Sequence, residues 1–311
     1  MLALAAGGAG YALHLYHAPG PLAEQKAVVV PRGGLSAAGE ALAGAGVIEN
    51  PRLFSLATWV TRGEGPIRAA EFAFPAHASL AEVLAVLRDG RPVQRRLTIP
   101  EGLTARQIAG LLDRAEGLTG DAPVISEGAV LPETYAYTYG DARAAVLRRA
   151  EAAMAQTLAE AWASRAADLP LTSPREALVL ASIVERETGK PDERARVAGV
   201  FMNRLRRGMP LQSDPTVAYA AADGAPLDRP LTRVDLDRDH PFNTYRNRGL
   251  PPGPIASPGR ESLRAVLHPE ANDFLYFVAD GSGGHVFAST LEEHNRNVAR
   301  WRELERQRAV R

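Results

Sequence analysis

Between Ser173 and Pro191 the chain carries both the start and the stop of a single helix. Ser173, Pro174 and Glu176 form the pattern Ser-x-x-Glu with proline at the first helical position. In that pattern the serine caps a free backbone N–H and the glutamate reaches back to the serine's own. Gly189 tolerates φ > 0 and Pro191 breaks a helix, so together they supply the stop. The spacing predicts about four turns, at ~3.6 residues per turn, including Leu-Val-Leu-Ala-Ser-Ile-Val-Glu-Arg-Glu-Thr from Leu178 to Thr188. Two acids ride on it, Glu185 and Glu187, about 200° apart on the helix at roughly 100° per residue. They cannot both face one cleft. Glu187 falls on the stripe of Val179, Leu180, Ile183 and Val184, while Glu185 falls near Leu178 and Ala181. A carboxyl on the more apolar stripe is held protonated by desolvation, the state a general acid needs. A solvated glutamate at a helix end is the plainer alternative.

With 311 residues the chain is long enough for two domains, or one with an appendage. Thirty-six basic and 36 acidic residues balance and are interspersed, so no bulk field points to nucleic acid or an anionic surface. The absence of cysteine excludes disulfides, thiolate nucleophiles, iron–sulfur clusters and cysteine zinc sites. No His-x-x-x-His pair supports a metal site, and no Gly-x-Ser-x-Gly elbow supports a serine triad. Neither metal nor cofactor is expected.

The first 23 residues hold no Asp, Glu, Lys or Arg. The apolar run is a few residues short of the ~20 a spanning helix needs, and no basic cluster precedes it to set orientation. A signal-peptide core and an ordinary hydrophobic N-terminus compete, but residues 1–22 are expected to be a membrane anchor whose start is clipped. Three times thereafter a short apolar segment, a proline, a loop and a capping Ser or Thr recur: Val28–Pro31 into Ser36, Phe72–Pro75 into Ser79, and Leu97–Pro100 into Thr104. With a helix over Pro51–Thr61, the first unit reads strand–helix–helix–strand and closes at Glu71–Phe74. Tyr135, Tyr137 and Tyr139 alternate, as on a half-buried strand; a sugar-stacking wall is the sharper reading. Helices are expected over 141–165 and 191–207. Beyond Gly208 the chain reads as mostly irregular, save a hairpin of 274–279 and 285–288 around Asp280–Gly284. That glycine run does not open a helix and lacks a P-loop ending, so phosphate binding is rejected.

The motifs in order resemble one family. Ala181-Ser182-Ile183-Val184-Glu185-Arg186-Glu187-Thr188, Val200–Leu205, Leu211-Gln212-Ser213-Asp214-Pro215-Thr216-Val217, Tyr245 through Gly249–Ala256, and Tyr276–Asp280 are similar to those of the YceG-like (MltG) family of endolytic murein transglycosylases. Pro132-Glu133-Thr134-Tyr135 has Glu where that family has Asp. The resemblance implies an α+β fold: a small LysM-like βααβ module (23–96), a connecting α/β segment and long helix (97–165), and a mixed α+β catalytic domain centred on the Glu-bearing helix (166–311). It implies endolytic cleavage between N-acetylmuramic acid and N-acetylglucosamine in nascent peptidoglycan, leaving 1,6-anhydro ends and setting strand length. Penicillin-binding synthases are the implied partners, and the outer face of the cytoplasmic membrane the implied location. The family's catalytic acid is the second of its Glu-x-Glu motif, here Glu187, the residue the helix geometry also prefers. Glu185 is the second choice and His285 a weaker one. Gln212, Ser213, Asp214, Asn243 and Tyr245 are expected along the sugar cleft, against the plainer reading that each braces a loop. A lysozyme-type hydrolase with Asp214 as second carboxylate, and a non-catalytic scaffold that binds peptidoglycan and recruits synthases, are the alternatives.

Overall fold

The computed structural model describes residues 2–309. Its elements in chain order are α1 (Leu2–His17), β1 (Lys26–Val29), α2 (Leu35–Gly44), α3 (Pro51–Val60), β2 (Glu71–Phe74), α4 (Leu80–Asp89), β3 (Arg95–Thr98), α5 (Ala105–Arg114) and β4 (Thr134–Tyr137). There follow α6 (Arg143–Ala163), α7 (Pro174–Glu187), α8 (Arg194–Arg206), α9 (Asp214–Ala222), α10 (Arg233–Asp237), α11 (Arg260–Leu267), β5 (Tyr276–Ala279), β6 (His285–Ala288) and α12 (Leu291–Ala309). Among the described residues the strands pair only in twos: β1 with β2, β3 with β4, β5 with β6. This is a mixed α+β fold. The chain divides into two compact units, one running to Arg96 and adding Glu116–Thr119 and Ala136–Ala142, the other comprising the rest.

In the first unit, β1 and β2 pair antiparallel, Val28 opposite Phe72 and Lys26 opposite Phe74. One face of that ribbon packs Val28, Phe72 and Phe74 against Leu42 of α2, Phe54 of α3 and Val83, Leu84 and Leu87 of α4. The strand–helix–helix–strand order is as the sequence reads. Ser79 closes a full capping box with Glu82, each such device being worth about 1 kcal/mol. Ser36 does not cap α2: Gly34 occupies that position, and the serine hydroxyl bonds Glu40 instead.

The expected single-pass anchor at the N-terminus is corrected. Helix α1 has 16 residues, about 24 Å at 1.5 Å per residue against the ~30 Å hydrocarbon core. No helix among the described residues is long and apolar enough to cross a membrane. The far end of α1 contacts α4, and Tyr16 packs against this unit's core.

In the second unit α7 is the central element. Ala177, Leu180, Ala181, Ile183 and Val184 are fully buried on it, against Val197, Phe201 and Met202 of α8 and Leu263, Val266 and Leu267 of α11. At about 1.5–3 kcal/mol per buried large aliphatic side chain, this packing outweighs α7's intrinsic propensity. Ser173 caps the helix by accepting from Glu176 N, but Glu176 Oε2 accepts from Thr172 N (2.6 Å), one residue short of the expected box. The stop also differs, because Thr188 turns extended and ends the helix without a left-handed glycine. Tyr135 lies buried and donates to Leu131 O (2.7 Å), which removes it from any sugar-stacking wall. The stretch expected to be irregular instead holds α9, α10, α11 and α12, while the hairpin of β5 and β6 forms as predicted, Phe277 opposite Phe287.

Candidate active site

Helix α7 delivers Glu187 at its last turn, and the segment leading into α9 comes up beside it. That segment alternates: Gln212 exposed, Ser213 buried, Asp214 exposed. Gln212 adopts the left-handed φ of 52°, rare for a side chain of its size. Thr244 holds the segment from the other side. Its carbonyl accepts from Gln212 N (3.1 Å), and its hydroxyl accepts from Ser213 N (3.0 Å) and pairs with Thr216 Oγ1 (2.8 Å). Tyr245 then donates its hydroxyl to Asp214 Oδ1 at 2.6 Å.

The Glu187 carboxyl is pushed up to about 8. Burial is the main cause; the Ser213 hydroxyl beside it lowers it, the Asp214 charge raises it again and the Arg204 charge lowers it. Close as it is, Ser213 Oγ is fully buried and meets the geometry of a hydrogen bond with no described residue. Glu187 as a residue is only half-buried. A carboxyl crowded by protein yet touched by solvent is both hard to ionise and reachable. A cavity of about 190 Å³ is lined by the sequence neighbours of this cluster, Arg186 and Pro215, together with Tyr219 and Ile255.

Glu185 is no less enclosed, its side chain 5% exposed. The two acids differ in pairing. Glu185 Oε2 accepts from Gly259 N (2.9 Å) and Oε1 from Arg194 Nη2 (3.3 Å), whose guanidinium also bonds Glu101 (3.3 Å). A Cβ at Gly259 would overlap the Glu101 carboxylate, which would have to swing away from Arg194 to make room. Glu185 therefore ties α7 to two distant loops.

A model of the YceG-like family matches residues 28–300. The chain belongs to that family. Among its relatives, an endolytic murein transglycosylase of Bacillus subtilis is 42% identical over 170 residues, 55% of this chain and 46% of that protein. Another, from Streptococcus pneumoniae, is 30% identical over 84% of this chain and 55% of that protein. The chain thus spans about half the length of the curated relatives it matches. A crystal structure of a yceG-like protein from Listeria monocytogenes is similar with a TM-score of 0.54 and 28% identity, covering 88% of this chain and 99% of that one.

In this YceG-like chain, then, Glu187, Gln212, Ser213, Asp214 and Tyr245 come together. Asn243 is spent on local bonds instead: its Nδ2 donates to Leu236 O at the end of α10 and to Arg238 O just after it, and its Oδ1 accepts from Tyr245 N. His285 pairs with Glu193 (2.8 Å) at the hairpin. Among the described residues, no three His, Asp or Glu side chains converge as a metal ion requires. One participant escaped the sequence reading, Arg204 of α8, whose charge acts on Glu187. Its signal was available. Arg204 continues the apolar stripe of Val197, Val200 and Phe201 at helical spacing, the wrong place for an arginine unless something buried needs it.

Proposed function

We propose that this chain is an endolytic lytic transglycosylase, cutting peptidoglycan glycan strands between N-acetylmuramic acid and N-acetylglucosamine, with Glu187 as its catalytic acid. The observation that carries this is the raised pKa of a half-buried Glu187 beside the Asp214 carboxylate, in a chain that the YceG-like family model matches over residues 28–300. At neutral pH such a carboxyl holds its proton. Glu187 gives it to the glycosidic oxygen as the bond from C1 breaks, and the muramyl C6 hydroxyl closes on C1. The hydroxyl proton returns to Glu187. No water enters, the product is a 1,6-anhydro end, and one carboxyl suffices where hydrolytic glycosidases use two. Burial keeps the acid protonated, the Asp214 charge adds to it, and Asp214 is itself held by Tyr245. The exposed Gln212 is placed to hydrogen-bond the sugar, while the fully buried Ser213 stands beside the acid instead. Asn243 braces the loop that carries Tyr245, and the pairing of Glu185 with Arg194 and Gly259 gives it a structural role.

Residues 23–96 are read as a LysM-like module that holds the strand, a reading supported by their strand–helix–helix–strand order; 97–165 connect it to a catalytic domain over 166–311. Association with penicillin-binding synthases is part of the same reading.

Mass spectrometry of glycan strands digested by the purified protein tests the reaction. Products one water lighter than hydrolytic ends are expected, and Glu187→Gln should lower their rate by ~10²-fold or more. Reducing muramyl ends would instead favour the hydrolase with Asp214 as second carboxylate, and binding without cleavage would favour a scaffold.

A further inference from the structure

Arg204 is 7% exposed, a position where a guanidinium is tolerated only if its N–H groups are satisfied. Nε donates to Leu275 O (2.6 Å); Nη1 donates to Pro210 O (3.1 Å), Leu211 O (3.0 Å) and Gln212 Oε1 (3.0 Å). The Tyr276 ring lies 5.2 Å from the guanidinium carbon and stacks in turn on His294, ring centres 5.0 Å apart. Three of the four acceptors belong to one turn, Pro210–Gln212. That turn ends in the left-handed Gln212, and the next two residues are Ser213 and Asp214, whose hydroxyl and carboxylate act on Glu187. A strained turn beside a reacting group persists only when its surroundings over-determine it. Here the buried cation does so.

We propose that Arg204 is a positioning residue for the reaction assigned above, and rests on that assignment: it fixes the Pro210–Gln212 turn so that Ser213 and Asp214 stand against Glu187, and sets its own positive charge toward that carboxyl. The charged and titratable groups around the pair are Asp214 from α9, Tyr245 from the loop after α10, Tyr276 from β5 and His294 from α12. Of these, Asp214 raises the Glu187 pKa and Arg204 lowers it. A residue that merely filled the core would change stability and leave the pH dependence of the folded enzyme alone.

The test is the pH profile of kcat and KM for glycan cleavage by the full chain, in wild type, R204K, R204Q and E187Q, with a thermal melt of each. Lysine keeps the charge but not a planar fork spanning four acceptors. R204K should therefore lose ~10-fold or more in kcat, the scale of a misplaced reacting group, with KM little changed and the alkaline limb in place. R204Q should lose more and move the alkaline limb to higher pH, because the charge favouring ionised Glu187 is gone. If R204Q does not fold, R204K decides alone. Folded R204 variants with wild-type kcat and an unmoved alkaline limb overturn it, and so does an R204K within about twofold of wild type. An inactive wild type or an active E187Q overturns the assigned reaction and this inference with it, whereas an inactive E187Q beside unaffected R204 variants overturns this inference alone.

Discussion

At the scale of single residues, α7 sets two glutamates two positions apart and treats them oppositely. Both are enclosed. Glu185 is compensated by a guanidinium and a backbone N–H, whereas Glu187 is held up by burial and the Asp214 charge, which the Ser213 hydroxyl and the Arg204 charge offset only in part. Their neutral isosteres should therefore move stability in opposite directions. Glu185→Gln weakens the grip on Arg194, whose Nε is already buried without a partner, and should cost about 1–3 kcal/mol. Glu187 is protonated more readily folded than unfolded. Its contribution to stability is fully present below the ordinary carboxylate range near 4.5 and is lost as pH rises to about 8. Glu187→Gln should then leave the melting temperature nearly unchanged at pH 4 and raise it at pH 8, by roughly 2 kcal/mol once water reaching into the cleft is allowed for. A melt series across that range reads both. The same sign governs turnover: cleavage should decline as pH rises through about 8, and Asp214→Asn, by removing a like charge, should bring that decline to lower pH. An Asp214→Asn profile with an unmoved or higher limb would show that the two carboxyls do not interact.

At the scale of elements, legibility followed how local each signal is. Helix α7 could be read because its cap, proline and apolar stripe sit within sixteen residues, and β5–β6 because Asp280–Gly284 is a turn between two apolar runs. Helices α9, α11 and α12 carry weaker local signals. In α9, Pro215 at the first turn and its polar approach read as loop; α11 has only eight residues, entered from Ser257-Pro258-Gly259; α12 is charged on nearly every face. Tertiary packing decides α11, whose Leu263, Val266 and Leu267 close over α7. The candidate site divides the same way. Glu187 and the 212–214 segment are contiguous motifs, but the juxtaposition of Gly259 with Glu101, 158 positions away in sequence, has no local trace. Ser182 shows how α7 transmits order to the proline-rich segment. Its buried hydroxyl donates to Val179 O (2.7 Å) and accepts from Ile255 N (3.0 Å). Ser182→Ala strands that N–H and should cost about 1–3 kcal/mol, whereas Ser182→Cys, which keeps a weak acceptor, should cost less. Equal denaturant midpoints for alanine variant and wild type would mean the 250–259 segment is anchored elsewhere.

At the scale of the whole molecule, the first unit closes a core of its own between Leu22 and Leu87, so a fragment of residues 20–96 should fold by itself. Small cores of this size leave only ~3–5 kcal/mol in hand, which makes the exact cut matter. Glu71 on β2 has a side chain 9% exposed, and Arg95 clasps it with Nε and Nη2 at 2.7 and 3.0 Å. Ending the fragment at Gly90 removes that arginine and leaves a buried carboxylate unpaired. The penalty should be roughly 2–3 kcal/mol, less than for a fully buried pair because Arg95 is 24% exposed. Losing Glu116, the other acid on Arg95, should matter little, since it is 83% exposed. Circular dichroism melts should then show cooperative unfolding for 20–96 and a shallow or absent transition for 20–90. Sedimentation of the folded fragment with insoluble peptidoglycan tests the LysM-like reading separately. A fragment that folds but stays in the supernatant would leave the unit a spacer, and one that fails to fold despite Arg95 would mean that 116–119 and 136–142 are needed to complete it.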